Sequence, residues 1–253
     1  MVGKHFKKKK VNIFKFLILV FVLLNIISII YISKWMLENK ENKDLQDNIS
    51  TAVYVDNNVN YEEPRYNIDF QKLKAINSDT VGWLKVKNTN IEYTVVQADN
   101  NNYYLKHNFE KKYNNAGWIF ADYNNKFDGT DKNLVIYGHN RKNNSMFGSL
   151  KNALKEEWYS NNENLTIDFV TESGYHKYQI FSVYTIESEE YYIDTEFEDD
   201  EFEEFIITLK SRSIIDFNTD ISKEDNILTL STCDNSTNDR VVLHAKRVYK
   251  QVF

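Results

Sequence analysis

The stretch Ile227-Leu228-Thr229-Leu230-Ser231-Thr232-Cys233, followed after Asp234-Asn235-Ser236-Thr237-Asn238-Asp239 by Arg240-Val241-Val242-Leu243, decides the reading of this chain. Two apolar, β-branched runs separated by six turn-forming residues read as sequential antiparallel strands. Sequential strands usually lie side by side, so Cys233 at one strand end and Arg240 at the next strand start would share a rim. Period two puts Thr229, Ser231 and Cys233 on one face and Leu228 and Leu230 on the other. A further apolar run, Leu134-Val135-Ile136-Tyr137-Gly138-His139, has the look of a central strand ending in a histidine.

Cys233 is the only cysteine, so it forms no intramolecular disulfide and is a poor basis for a zinc site. It is either a small buried hydrophobe or a nucleophile. The second reading has chemical logic. A thiol attacks a carbonyl as thiolate, a histidine can take its proton and return it to a leaving amine, and a guanidinium can stabilise the oxyanion. Spacing alone leaves both readings open. Among the other histidines, His5 lies in a basic tail, His107 in a polar loop and His176 beside a hairpin turn. His244, mid-strand in Leu243-His244-Ala245, reads as a structural histidine. His139, after a buried strand and a flexible Gly138, suits a site.

Outward from these runs, Val81–Val86 and Ile91–Val96 read as strands around Lys87-Asn88-Thr89-Asn90, and Trp118–Phe120 as a short one. Leu165–Val170 and Tyr178–Tyr184 predict a hairpin around Glu172-Ser173-Gly174. Phe70, Leu73 and Ile76 predict a short helix; Phe147, Leu150, Leu154 and Trp158 a second; Phe202, Phe205, Ile206 and Leu209 a third. The expectation is a mostly β protein, a closed or nearly closed barrel of about eight strands with a few helices.

Residues 1–36 hold seven lysines and no acid, leaving 24 basic against 37 acidic residues in the remainder. So acidic a domain would repel phosphates, which argues against nucleic acid as a partner. Phe16–Ser33 is uncharged; as a helix it spans roughly 27 Å, about the thickness of a bilayer core. No small-x-small cleavage site follows it, so it reads as an uncleaved anchor. Lys7–Lys10 would stay in the cytoplasm and the rest of the chain would lie outside the cell. The domains expected are a basic tail (1–10), a transmembrane anchor (11–36), a polar stalk (37–65) and a folded domain (66–253).

Thr229-Leu230-Ser231-Thr232-Cys233 with Arg240 resembles the sortase signature TLxTC…R. Tyr137-Gly138-His139-Asn140, followed by Ser145–Leu150, resembles the histidine segment of class B sortases, and Trp83–Val86, Asn88-Thr89 and Val95-Val96-Gln97 resemble that class's early strands. The acidic segment around 196–213 resembles the class's extra helix. Thr94 stands where the class often has proline. The resemblance covers about 66–253 and implies an eight-stranded sortase-type barrel. It also implies a membrane-anchored cysteine transpeptidase of Gram-positive bacteria that cuts the C-terminal sorting motif of secreted surface proteins. The acyl group would pass through a thioester to an amine of peptidoglycan or lipid II. By match, Cys233 is the nucleophile, His139 the general acid/base and Arg240 the oxyanion or substrate stabiliser. Asn101, Leu105, Tyr192, Ile193 and Ser231 match substrate-groove positions. No metal or cofactor is implied. A pilin-polymerising sortase and a non-catalytic ectodomain on a membrane stalk are the competing readings.

Overall fold

In the computed structural model, residues 13–56, 65–187, 189–198, 200–233 and 239–253 are described. The expected basic tail, Pro64 and the 234–238 loop lie outside the described residues. The elements in chain order are helix α1 (Ile13–Ser50), strands β1 (Val53–Asp56) and β2 (Arg65–Ile68), helix α2 (Phe70–Ile76), and strands β3 (Thr80–Val86), β4 (Glu92–Val96), β5 (Phe120–Ala121) and β6 (Asn133–His139). Helix α3 (Glu156–Tyr159), strands β7 (Thr166–Thr171) and β8 (Gly174–Glu187), helix α4 (Glu201–Ser211), and strands β9 (Ile227–Cys233) and β10 (Asp239–Val252) complete it. The chain forms two units, one up to Glu41 and one from Asn42 to Phe253.

In the first unit the apolar side chains of α1 up to Leu37 are exposed on every side, among them Phe16, Leu19, Leu23, Ile27 and Ile30. A helix apolar all round suits a hydrocarbon surround. Among the described residues, α1 is the one helix long and apolar enough to cross a membrane.

In the second unit eight strands close into a barrel in the order β10-β8-β7-β3-β4-β5-β6-β9. Most neighbours are antiparallel; β4–β5 and β6–β9 are parallel. The β6–β9 pair joins two runs singled out in the sequence, and residues on both faces of each are buried. Leu84, Val95, Ile136, Leu228, Leu230 and Leu243 are among the fully buried residues of the main core. A second core lies between α4 and the barrel, where Phe202, Phe205, Ile206 and Leu209 meet Phe181, Tyr184, Ile227 and Val242. The predicted stripe of α4 is therefore observed, and Glu201, Glu203 and Glu204 in its first turn suit the helix dipole.

Three local expectations differ. The stripe Phe147–Trp158 is a 3-10 turn (Leu150–Leu154) and then the single-turn α3, separated at Lys155, whose ψ of 134° is extended. The three-residue period of the 3-10 turn buries Leu150 and Ala153 and the α3 turn buries Trp158, so the apolar pattern alone does not distinguish this from one helix. The short strand expected at 118–120 is β5, shifted to Phe120–Ala121. Trp118 instead buries its indole and donates Nε1–H to the Thr94 carbonyl at 3.0 Å.

The third difference concerns the polar stretch expected as a stalk. Its Leu45, Ile49 and Ala52 are buried in the main core, and Gln46 Nε2 donates to the Glu92 carbonyl at 2.6 Å. β1 then pairs antiparallel with β2, Val53 opposite Ile68. Tyr66 of β2 and Tyr175 of β8 both donate to the buried carboxylate of Asp168. Two apolar residues spaced by four are too sparse to read as a core stripe among so many polar ones. Ile49→Ala should lower the unfolding free energy by about 2–4 kcal/mol in urea titration; an unchanged midpoint would show that this helical end adds nothing to the core.

Candidate active site

β6 and β9 run parallel and in register from Asn133 opposite Ile227 to His139 opposite Cys233. Both strands stop there, so the expected convergence of histidine and cysteine at one rim is met in the backbone. β10 is antiparallel to β9 with Val242 opposite Ser231, and continuing that register by two residues sets Arg240 across from Cys233. The Thr232 hydroxyl accepts the Val241 amide at 2.8 Å and pins this corner.

His139 is 6% exposed, and its Nε2 lies 2.8 Å from the Leu105 carbonyl. A carbonyl only accepts, so Nε2 carries the proton and the neutral ring's basic lone pair is on Nδ1. Leu105 ends a 3-10 turn (Tyr103–Leu105), and its contribution here is this backbone oxygen. Gly117, at φ +60°, completes the wall. A Cβ there would lie 2.5 Å from the Tyr104 carbonyl and 3.0 Å from His139 Cδ2. Gly138 needs no unusual φ; a Cβ would strike Ile119 and Phe147. Its glycine serves close packing behind the histidine, where the sequence suggested flexibility.

Arg240 is half-buried and donates from Nη1 to the Tyr192 hydroxyl at 3.2 Å. That hydroxyl lies 3.0 Å from Ser231 Oγ. Tyr192, fully buried, therefore links two residues singled out from the sequence. Its placement depends on a polar chain behind it. Asn133 Nδ2 donates to the carbonyls of Tyr192 and Asp194 at 3.2 and 2.8 Å, while its Oδ1 accepts from Thr229 at 2.6 Å. Thr229 has one proton, so it accepts from His244 Nδ1 at 2.8 Å. His244 Nε2 then accepts from Tyr184 at 3.0 Å, and Tyr184 from Tyr191 at 3.0 Å. Burial pushes the His244 pKa down to about 3. His244 is thus a neutral structural histidine, as its mid-strand position suggests. His107 stacks on Tyr103 at 4.1 Å, and His176 lies at the far end of β8.

Asn101 and Ile193 line one depression together with Asp122, Glu190, Asp194 and Glu196. Asn101 Nδ2 donates to Asp122 Oδ2 at 2.7 Å, and Tyr137 of β6 donates to the same oxygen at 2.8 Å. Asp122, Tyr137 and Gly117 are supports the sequence reading missed. Of these only Gly117, following the turn-forming Asn114-Asn115, left a local signal.

A family profile described as a sortase domain matches residues 84–248. Sortase B of Listeria monocytogenes is 40% identical over 223 residues, covering 84% of this chain and 87% of the relative. A crystal structure of sortase B from B. anthracis in complex with AAEK1 superposes with a TM-score of 0.74 at 33% identity, over 84% of this chain and 99% of that one. A Staphylococcus aureus sortase B–substrate complex gives 0.67 at 34% identity, over 71% and 84%. The chain belongs to the sortase family, and within it to class B. It is a cysteine transpeptidase.

The buried histidine gives a pH signature. His244 titrates near 6.5 in the unfolded chain and near 3 when folded, so between these values the unfolded state binds the extra proton. Its contribution to stability is therefore lost as pH falls through that window, by up to about 1.4 kcal/mol per pH unit. His244→Gln should be less stable than the parent at pH 7.5, with the gap narrowing at pH 5 in urea titrations. A gap independent of pH would mean that His244 titrates normally in the fold.

Proposed function

We propose that this transpeptidase cuts the C-terminal sorting motif of secreted proteins, using Cys233 as nucleophile, His139 as general acid/base and Arg240 as oxyanion stabiliser. The observation that carries this reading is the parallel register setting His139 beside Cys233, with Arg240 held by Tyr192 at the same corner.

The Cys233 thiolate attacks the scissile carbonyl carbon, and the electron pair moves to the carbonyl oxygen. A permanently charged guanidinium suits that oxyanion. Collapse re-forms the carbonyl and breaks the C–N bond, and the imidazolium of His139 gives its proton to the departing amine. The acyl group is left as a thioester. An incoming cell-wall amine then attacks it, His139 takes the amine's proton, and the thiolate leaves. The Leu105 carbonyl favours a ring with its proton on Nε2, so Nδ1 is the atom that exchanges this proton.

The apolar part of α1 anchors the chain, with Lys7–Lys10 on the cytoplasmic side and residues 42–253 outside the cell as the catalytic unit. The groove for the motif runs along the partly exposed Asn101, Leu105 and Ile193; Tyr192 and Ser231, matched to groove positions in the sequence, are buried and support Arg240 from behind. The carboxylates of Glu190, Asp194 and Glu196 beside Ile193 favour a basic stretch in the substrate.

The test is intact-mass spectrometry of the chain with a panel of sorting-motif peptides. An adduct on Cys233 equal to the N-terminal half of one peptide, lost on adding an amine, is expected; absence of any adduct would count against the reading. Cys233→Ala should abolish cleavage and transfer. His139→Ala should lower kcat/KM by about 10²–10⁴ and Arg240→Ala by about 10²–10³. If His244→Ala were the severe variant and His139→Ala the mild one, the histidine assignment would be wrong. Turnover of a motif peptide with a basic tail should fall as salt rises; salt-independent turnover would remove the role given to the acidic groove.

A further inference from the structure

β8 and β10 are both 14 residues long and pair along their whole length. Arg240 lies opposite Ile186 at the end just described, and Lys250 opposite His176 at the other. Ten residues of strand separate these rows, roughly 33 Å. At the far end lies a cavity of about 190 Å³ that the transpeptidation site does not use.

Its walls are of two kinds. Phe127, Leu134, Phe169 and Val252 supply apolar surface, with the rings of Phe127 and Phe169 6.2 Å apart. His176, Tyr178, Arg247 and Lys250 supply polar groups; Arg247 lies directly across from Tyr178, and Lys250 across from His176. Asp128 and Asp131 also line the cavity, but their oxygens are engaged within their own loop. Asp131 accepts from the amides of Lys126 and Phe127, both at 2.8 Å, and Asp128 accepts from Thr130 N and Oγ1 at 2.9 and 2.6 Å. On β8 and β10 the donors are matched in part: Arg247 Nη2 donates to Asn226 Oδ1. His176 is 8% exposed, yet its Nδ1 is buried with no hydrogen-bond partner. The ring lines the cavity through its other atoms, so an anion bound there acts on His176 through its charge.

We propose that this cavity is a second binding site, for a small amphiphilic oxyanion whose carboxylate or phosphate head meets His176, Arg247 and Lys250 and whose flat apolar body packs against the joined rings of Phe127 and Phe169. The volume admits a ligand of about six waters' bulk, one ring with its head group. In the empty cavity, burial and the charges of Arg247 and Lys250 push the His176 pKa down to about 4. An anion beside the ring reverses this balance, because it favours the imidazolium.

The experiment is histidine NMR of the full chain in nonionic micelles, titrated separately with benzoate, phenyl phosphate, inorganic phosphate and benzyl alcohol. Benzoate or phenyl phosphate should bind saturably and raise the His176 pKa by about one pH unit or more, equivalent to about tenfold tighter binding to the charged ring. Inorganic phosphate lacks the apolar body and benzyl alcohol the charge, so both should bind at least about tenfold more weakly. The stronger of the two aryl probes identifies the preferred head. Lys250→Gln, at an exposed position, should weaken binding of that probe while sorting-peptide turnover stays unchanged. No saturable response to either aryl oxyanion, an equal response to benzyl alcohol, or binding indifferent to Lys250→Gln would overturn the proposal. Peptide turnover is read independently, so failure here leaves the transpeptidase mechanism untouched.

Discussion

The parallel ladder between β6 and β9 is the constraint on which the site depends. Seven residue pairs, from Asn133–Ile227 to His139–Cys233, hold two strands that are distant in sequence in one register. A slip of one residue would turn every side chain of a strand to the opposite face. It would move Leu228 and Leu230 out of the main core and take His139 away from Cys233 together. Burial of apolar residues thus sets the geometry of the proposed site.

Behind this ladder a second layer holds the arginine. α4 covers β8 and β10 with phenylalanine and isoleucine, and under that cover the polar chain from Tyr184 to Asn133 is buried. In such surroundings each donor must find an acceptor, which gives the chain one sense of direction. Asn133 closes it by gripping the carbonyls of Tyr192 and Asp194, so the tyrosine that meets Arg240 is fixed from both ends. The apolar packing of α4 and the orientation of a guanidinium are linked through one buried histidine that carries no charge.

The strands were legible because alternation and apolar runs reflect burial directly. β3, β4, β6, β7, β9 and β10 lie within a few residues of where Val81, Ile91, Leu134, Leu165, Ile227 and Arg240 suggested. The core role of Leu45 and Ile49 was not legible, because two apolar residues in a polar segment give no period. Neither was the break at Lys155, since 3-10 and α turns bury the same side chains. At the site, Cys233, His139 and Arg240 stood out through the end positions of their strands and through the signature. Their supports did not. Leu105 and Tyr192 were singled out as groove positions, but their roles here, a carbonyl for His139 and a hydroxyl for Arg240, act across tens of residues and leave no mark in a residue pattern. Gly138 shows the same limit: its presence was noticed, but the reason, contact with Ile119 and Phe147, belongs to packing.

The order in which the barrel closes has a consequence for a chain threaded from its N-terminus. His139 and Cys233 are about a hundred residues apart; β9 adds to β6, and β10, the last strand, closes the sheet by pairing with both β9 and β8. Contacts so distant in sequence form only after the loop-closure cost of the intervening chain is met. Until the last strands have emerged, β6 has no partner on that side and the imidazole no neighbour at the rim. Topology therefore acts as a timer: the reactive centre comes into being with the completed fold and not before it.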